Sequence, residues 1–191
     1  MPRTLTLGND GPLVAPQPQQ VDLAAVARPH LEALTAEVGE TVHLMVLEGA
    51  SARFVAVVEG GSTWHVAPRV GLLMPAHLTS GGKALLAELT ATELRALYPR
   101  GLALTPDAAG PAPGTLHREL AAIRRRGYAR NIEETERGVS ALGACVRDGL
   151  GRAAGAVVVA APTSRARGRA LDQLSGPLLA TAAAISQRMG S

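Results

Sequence analysis

The sequence predicts an α+β fold in which one mostly antiparallel sheet is covered by helices. Short turns separate its strand-like segments, and turns of that length join antiparallel neighbours. Amphipathic helical patterns lie near both ends of the 191-residue chain, and hairpins outnumber strand–helix–strand units. A chain of this length forms about one domain with a substantial core.

The N-terminal part predicts an irregular arm followed by a helix. Residues 1–20 carry four prolines and two glycines without sustained periodicity, which is typical of an arm or linker. Apolar residues then recur at helical spacing from Asp22, a suitable N-cap, to Gly39, a suitable stop. Pro29 either kinks this helix or delays its start. The predicted domain therefore covers residues 21–191.

Strand-forming residues predict three strands over residues 41–67. Turn-forming residues at 48–51 and 60–62 separate these strands, so we expect antiparallel hairpins. The following segment, PRVGLLMPAH at 68–77, is predicted to be a loop, and a helix runs from there to about Leu89.

The second half predicts two further helices, a hairpin and a last helix. A short helix covers 92–98, a long loop with three prolines and three glycines covers 100–114, and Thr115 caps the next helix. Two or more strands surround the turn at 148–151. The C-terminal helix must be interrupted at Gly176-Pro177.

Composition excludes several classes of protein. Hydrophobic residues make up 47% of the chain and charged residues 18%, as in ordinary globular proteins. No apolar run reaches the roughly 18 to 20 residues that span a bilayer, and no signal peptide is apparent, so we expect a cytoplasmic protein without membrane contact. The single cysteine, Cys145, excludes an internal disulfide. No two of the five histidines have helical i, i+4 spacing, and we predict neither a metal nor a cofactor.

The positive charge does not by itself predict a nucleic-acid groove. The formal net charge is +3, but the 18 arginines are scattered, and only Arg124, Arg125 and Arg126 form a run. Aromatic residues make up 2% of the chain, which leaves little surface for stacking bases. We therefore predict a solvated, arginine-rich surface.

The segment HLTSGGKALLAEL, residues 77–89, raises the hypothesis of a phosphate-binding loop. Such a loop needs a glycine five residues before the Gly-Lys pair and a Ser or Thr after it. Here His77 and Ala84 occupy those positions. The phosphate-loop hypothesis therefore fails.

A more general property of this corner remains. Thr79 or Ser80 can cap the helix, and Gly81 and Gly82 can present backbone N–H groups to an anionic group of a small ligand. A well-capped helix that packs on the sheet is the simpler alternative. Lys83, the only lysine, is expected to be solvated or to cap carbonyl groups rather than to contact a ligand.

The sequence offers no catalytic constellation. Cys145 lies in an apolar strand segment, where a thiol is usually a small buried hydrophobe. Ser80 and His77 are close in sequence but lack a third, orienting residue. The glutamates of EETE, residues 133–136, are expected to be solvated loop charges. We therefore predict that the protein is not an enzyme.

An ordered set of segments is more specific than any single motif. RVGLLMPAHLTSGGK, residues 69–83, is followed by Ala-Leu-Leu-Ala, by the segment 116–165 with GYA, EETERG and VRDGLG, and by a terminal amphipathic helix. This succession resembles the effector-binding domain of IclR-family transcriptional regulators over about residues 22–189. The resemblance implies a GAF/profilin-like domain with a six-stranded sheet.

The resemblance also implies partners. In such regulators a winged helix-turn-helix binds an operator, while this domain binds a small organic effector and assembles homodimers or homotetramers. The sequence shows no recognisable helix-turn-helix before Asp22, so DNA contact is expected only through a DNA-binding domain that is absent from this chain.

Motif alignment with the family implies a ligand pocket between the sheet and the loop before the central helix. Family members that bind keto or hydroxy acids have a carboxylate, a thiol and serines at several pocket positions, where this chain has mostly apolar residues. We therefore predict an organic acid with an apolar or aromatic body, whose carboxylate is held by N–H groups of the Ser-Gly-Gly corner. A Gly81→Arg or Gly81→Trp change is expected to abolish binding and leave the fold intact. The predicted ligand-binding residues are Val66, Met74, Thr79, Ser80, Gly81, Gly82, Asn131, Ala141, Val158 and Ala160.

Two alternatives from other classes stay open. The chain could be a stand-alone dimerisation module whose degenerate pocket no longer binds a ligand. A hydrolase-like enzyme that uses Ser80 with His77, or Cys145, is the weaker alternative, because no paired base and orienting group can be identified.

Overall fold

The computed structural model describes residues 22–61, 69–99 and 113–191. Its helices are α1 (Leu23–Val38), α2 (Ser80–Leu86), α3 (Ala91–Leu97), α4 (Pro113–Arg126), α5 (Arg169–Gln173) and α6 (Ser175–Met189). Its strands are β1 (Thr41–Glu48), β2 (Ser51–Val58), β3 (Leu73–Pro75), β4 (Ala129–Ile132), β5 (Val139–Arg147) and β6 (Ala153–Pro162). The predicted arm at 1–20 and Val66 lie outside the described residues.

The strands form one six-stranded sheet in the order β3-β2-β1-β6-β5-β4. Every neighbouring pair is antiparallel. The predicted α+β class with a mostly antiparallel sheet is therefore confirmed. Strands β1 and β6 pair at the centre, so residues far apart in sequence meet there, and β3 and β4 form the two edges.

Alternation along the strands sends side chains to two separate cores. On β6, Val157 and Val159 pack on the face that carries α1 and α6, while Ala156 and Val158 pack on the face that carries α2 and α4. This period of two is the pattern of a strand covered on both faces. The second face, below α2, also holds the candidate site.

Local capping residues fix the helix ends that the sequence predicts. The Asp22 carboxylate accepts a hydrogen bond from Ala24 N at 3.0 Å, and α1 stops at Gly39, whose φ is 73°. Thr90 and Glu93 form a reciprocal capping box at the start of α3. Pro177 lies in the first turn of α6, where a missing N–H costs little, so the predicted interruption is the junction of α5 and α6.

Part of the sequence prediction is wrong in detail. The predicted loop at 68–77 contains β3 and, from Ala76 to Leu78, a short 3-10 helix. The helix that follows ends at Leu86 instead of continuing to Leu89. A three-residue strand pairs with only one neighbour and shows no alternation, so its sequence resembles a loop. No helix in the described ranges is long and apolar enough to cross a membrane.

Candidate functional site

A cavity lies on the α2 face of the sheet, between the strands and the first turn of α2. It contains about 450 Å³ of empty space, including open solvent at its mouth. The residues that line it come from all six strands, the start of α2 and two loops, and are His43, Met45, Phe54, Arg69, Met74, Thr79, Ser80, Asn131, Thr135, Val139, Ala141, Val158 and Ala160.

Seven of the ten predicted ligand-binding residues line this one cavity, although they are spread over nearly 90 positions of the chain. Their role in binding stays a prediction. Gly81 and Gly82 do not line the cavity, and Val66 lies outside the described residues. The seven are Met74, Thr79, Ser80, Asn131, Ala141, Val158 and Ala160.

The two glycines serve close packing of α2. A Cβ atom added to Gly81 would lie 2.7 Å from Met45 Sδ and 2.8 Å from Val158 Cγ2. The Gly82 N–H donates to the Thr79 hydroxyl oxygen at 3.0 Å, and is therefore committed to the helix cap. This N–H group is therefore occupied within the protein, and the expected Gly82 contact with a ligand stays a prediction. A large residue at Gly81 would therefore press on Met45 and Val158, which argues against the expectation that such a variant leaves the fold intact.

Asn131 organises the loop after β4. Its amide nitrogen donates to Leu78 O at 2.6 Å and to Thr135 Oγ1 at 3.2 Å, and its oxygen accepts from Glu134 N at 3.2 Å. Both amide protons are therefore committed to the protein itself. Asn131 contributes to the wall of the cavity mainly by holding the loop against the start of α2.

His43 is a polar lining residue that the sequence interpretation missed. It is almost fully buried on β1, its ring packs edge-on against Phe54 with the centroids 5.2 Å apart, and its Nδ1 atom has no hydrogen-bond partner. Burial, assisted by the charge of Arg69, lowers the pKa of His43 to about 4. The period-two pattern that places His43 on the same face as Met45 could have identified it.

We expect His43 to destabilise the protein in acid. Its folded pKa of about 4 lies below the unfolded value of 6.5, so the unfolded chain binds the proton more readily as the pH falls from 6.5 to 4. At about 1.4 kcal/mol per pKa unit, the loss is at most about 3 kcal/mol at pH 4 and absent at pH 7.5. Urea denaturation of the wild type and of His43→Gln between pH 7.5 and pH 4 measures it. Equal pH slopes for both proteins would contradict the prediction.

Arg69 is the only charged residue among the described lining residues. It precedes β3, and its guanidinium carbon lies 5.9 Å from the centroid of the Phe54 ring. One guanidinium nitrogen contacts a carboxylate oxygen of Glu136, in the loop between β4 and β5. The side chains of Arg69 and Glu136 are 19% and 40% exposed, so the pair lies on the solvent side of the cavity.

Lys83 is buried, which corrects the expectation that it is solvated. Its side chain is 0% exposed, and its Nζ atom lies 2.8 Å from Glu119 Oε1 and 2.7 Å from Glu134 Oε1. Burial raises the pKa of Glu134, although the Lys83 charge acts in the opposite direction. This cluster, called here the lysine cluster, joins α2, α4 and the loop after β4 directly beside the cavity.

In the part of the chain that the structure describes, the candidate nucleophiles lack the groups that would activate them. Burial, assisted by the charge of Glu88, raises the pKa of Cys145 to about 12, so its thiol stays protonated at neutral pH. The His77 ring packs edge-on against Tyr98, and its buried Nδ1 atom has no hydrogen-bond partner, so the orienting group that a catalytic base needs at this nitrogen is missing among the described residues. Within the described ranges, no group of three or more His, Cys, Asp or Glu residues is arranged to hold a metal.

The arginine run is partly structural. Arg124 donates to the carbonyl oxygens of Ala87 at 2.6 Å and Leu89 at 3.0 Å, and Arg126 donates to Tyr128 O at 2.6 Å. Two of the three arginines therefore satisfy backbone carbonyls, which supports a structural role for this run.

Comparison with known proteins gives a consistent result. The profile described as the bacterial transcriptional regulator IclR C-terminal family matches residues 17–187. The transcriptional repressor IclR of Escherichia coli K12 is 31% identical over 150 residues, which cover 77% of this chain and 55% of that protein. The regulator XynR of the same strain is 30% identical over 172 residues, which cover 89% of this chain and 68% of that protein. Both relatives are thus named for regulating transcription, which is not an enzymatic role.

A solved structure agrees with the sequence matches. The crystal structure of the Thermotoga maritima IclR protein superposes with a TM-score of 0.80 at 28% identity, covering 89% of this chain and 69% of that chain. Because this chain spans about half the length of the first relative, the similarity describes one domain of such proteins.

Proposed function

This chain belongs to the IclR family of bacterial transcriptional regulators, as a C-terminal domain, and from that premise we propose that its cavity binds a small-molecule effector. Binding would control DNA binding by a separate winged helix-turn-helix domain. The observation that carries the proposal is a cavity to which all six strands and the start of α2 contribute lining residues.

The chemistry of the cavity wall favours a ligand with one polar end. Methionine, alanine and valine account for six of the thirteen lining residues, and Phe54 on β2 is a seventh apolar one. A strongly polar ligand would lose hydrogen bonds to water against such a wall without replacing them. The proposed effector is therefore a small organic acid with an apolar or aromatic body.

The proposed partners follow from the family. We propose that the chain forms homodimers or homotetramers and that it contacts DNA only through a winged helix-turn-helix domain. A regulator of bacterial transcription acts in the cytoplasm, which is the proposed location. Arg124 and Arg126 hold backbone carbonyls, so the arginine run of this domain is not needed as a DNA contact.

The second candidate is a dimerisation module whose pocket has lost its ligand. The observation that favours it is the commitment of Asn131, Gly82 and Thr79 to hydrogen bonds within the protein. The two candidates differ in one measurable property, because only a sensing pocket gains stability from a ligand.

A thermal-shift screen of short aliphatic and aromatic acids tests the proposal. Ligand at about 100 times its Kd adds about 2.7 kcal/mol, which raises the Tm of a protein of this size by about 5 to 10 °C. We expect aromatic acids to stabilise the protein more than glyoxylate or pyruvate. Stabilisation by those two alone would contradict the predicted apolar body, and no stabilisation by any acid would favour the dimerisation module.

A variant that fills the cavity locates the binding site. Ala160 lines the cavity on β6, so Ala160→Phe should remove the Tm gain of a positive acid while the protein stays folded. Ala153→Phe is the matched control, since Ala153 is exposed on the same strand and lies outside the cavity. A retained gain in Ala160→Phe would place the ligand elsewhere.

A further inference from the structure

The ion pair between Arg69 and Glu136 connects the two ends of the sheet. Arg69 lies four residues before the start of edge strand β3, and Glu136 lies four residues after the end of edge strand β4. These edges are the first and last strands in the sheet order, so the sheet must curl for the two side chains to meet. The pair therefore links the two edges of the sheet on the solvent side of the cavity, with Thr135, which lines the cavity, next to Glu136 in sequence.

The two partners of this ion pair have different surroundings. Arg69 lines the cavity and lies over the Phe54 ring, and its charge is felt by His43 on β1. Glu136 does not line the cavity, and 40% of its side chain is exposed to solvent. The Arg69 guanidinium therefore lines the cavity, while the Glu136 carboxylate that pairs with it lies at the protein surface.

A ligand carboxylate inside the cavity can replace Glu136 as the partner of Arg69, because losing the Arg69–Glu136 ion pair costs little free energy. A partly exposed ion pair adds little stability, because water and salt screen both charges. A carboxylate inside the cavity can approach the same guanidinium beside the Phe54 ring. Less water screens the charges there, and a bidentate arginine–carboxylate pair is correspondingly stronger. Released Glu136 regains full contact with water.

The Ser-Gly-Gly corner, residues 80–82, is a weaker anion-binding site than Arg69. The Gly82 N–H is committed to Thr79, and Gly81 packs on Met45 and Val158. Only Ser80 of that corner lines the cavity. The full positive charge of Arg69 on the cavity lining therefore attracts an anion more strongly than this corner does.

We propose that Arg69 is the residue that selects acidic effectors, and that Glu136 occupies it as an internal competitor while the cavity is empty. The inference rests on the proposed function, because it names the recognition group of the same cavity. Ligand binding would exchange one carboxylate partner of Arg69 for another. The exchange would release the loop between β4 and β5 from the segment before β3.

Matched pairs of acids and their amides test the proposal directly. The probes are benzoate with benzamide and phenylacetate with phenylacetamide, with Kd measured by NMR titration of the protein at constant ionic strength. In the wild type the acid of each pair should bind more tightly than its amide. Arg69→Gln should weaken the acids about 10- to 100-fold and leave the amides within about twofold. Glu136→Gln should strengthen the acids about two- to fivefold, because it removes the competitor.

Arg53 and Glu48 provide the matched controls. They form an ion pair with 2.7 Å between Arg53 Nε and Glu48 Oε2, on neighbouring strands and outside the cavity lining. Arg53→Gln and Glu48→Gln change the net charge by the same amounts and should leave every Kd within about twofold. If they reproduce the effects of the Arg69 and Glu136 variants, long-range charge explains the result and the proposal is overturned.

The failure of this inference differs from the failure of the proposed function. If acids and amides bind the wild type equally, or if Arg69→Gln keeps the preference for acids, the role of Arg69 is refuted while the cavity remains a binding site. Unchanged acid binding in Glu136→Gln would refute the competitor role. If no probe of either kind binds at millimolar concentration, the proposed function fails and this inference fails with it.

Discussion

Replacing Lys83 by methionine should destabilise the protein by about 3 to 5 kcal/mol. Methionine fills a similar volume, but it removes the positive charge that lies 2.8 Å from Glu119 Oε1 and 2.7 Å from Glu134 Oε1 in the lysine cluster. The two carboxylates, which repel each other, would then stay partly buried without a partner, and breaking a buried ion pair from one side has a cost of this size. Urea denaturation at pH 7.5, followed by circular dichroism, measures the change.

Two further variants distinguish the free energy of leaving the carboxylates unpaired from that of a packing defect at position 83. Glu134→Gln removes the charge that burial disfavours and leaves Lys83 paired with Glu119 at 2.8 Å, so we expect a loss of at most about 1 kcal/mol. Arg95→Met removes an exposed cation from α3 and should change the stability by less than about 0.5 kcal/mol. A Lys83→Met loss as small as that of Arg95→Met would contradict the assigned role.

The pH dependence of the Lys83→Met loss has a defined sign. Burial already raises the folded pKa of Glu134, and Lys83 opposes that shift, so the variant raises it further. A carboxyl group whose folded pKa exceeds its unfolded pKa loses stability as the pH rises through that range. The deficit of Lys83→Met should therefore be smaller at pH 5 than at pH 7.5. A deficit that grows in acid would show that charge burial is not its cause.

Features that depend on neighbours in sequence could be predicted well. The caps at Asp22 and Thr79 and the stop at Gly39 each involve hydrogen bonds over at most four residues, and the hairpin around 148–151 joins adjacent strands. Such features need only residue type and spacing, because the interacting groups are close in the unfolded chain as well.

Features that depend on the path of the chain could not be predicted in this way. Lys83 meets Glu134 across 51 positions, and Arg69 meets Glu136 across 67. Their charges look like ordinary surface charges until the sheet order brings the segments together. The sequence interpretation therefore listed cavity residues by family resemblance, and missed His43 and Arg69, the two lining residues that most alter the electrostatics of the cavity.

The sheet also controls how closely α2 approaches it, and Gly143 is the contact point. Gly143 lies on β5, in the interior of the sheet, where strand propensity alone would favour valine. A Cβ atom added there would lie 2.6 Å from the carbonyl carbon and oxygen of Ser80 and 2.7 Å from Gly81 N. All three atoms belong to the backbone, so no side-chain rotation can relieve the contact.

Gly143→Val should therefore destabilise the protein by at least about 3 kcal/mol, against the sign expected from propensity. The first turn of α2 must move away from the sheet, which displaces Ser80 and Thr79 in the cavity wall, so any ligand-induced gain in Tm should also be lost. Gly176→Ala is the matched control, because a Cβ atom there has no neighbour within 4 Å, and this helical position should be neutral or slightly stabilised. Calorimetry measures the stability of both variants. A Gly143→Val protein as stable as the wild type would mean that α2 does not contact β5 through its backbone.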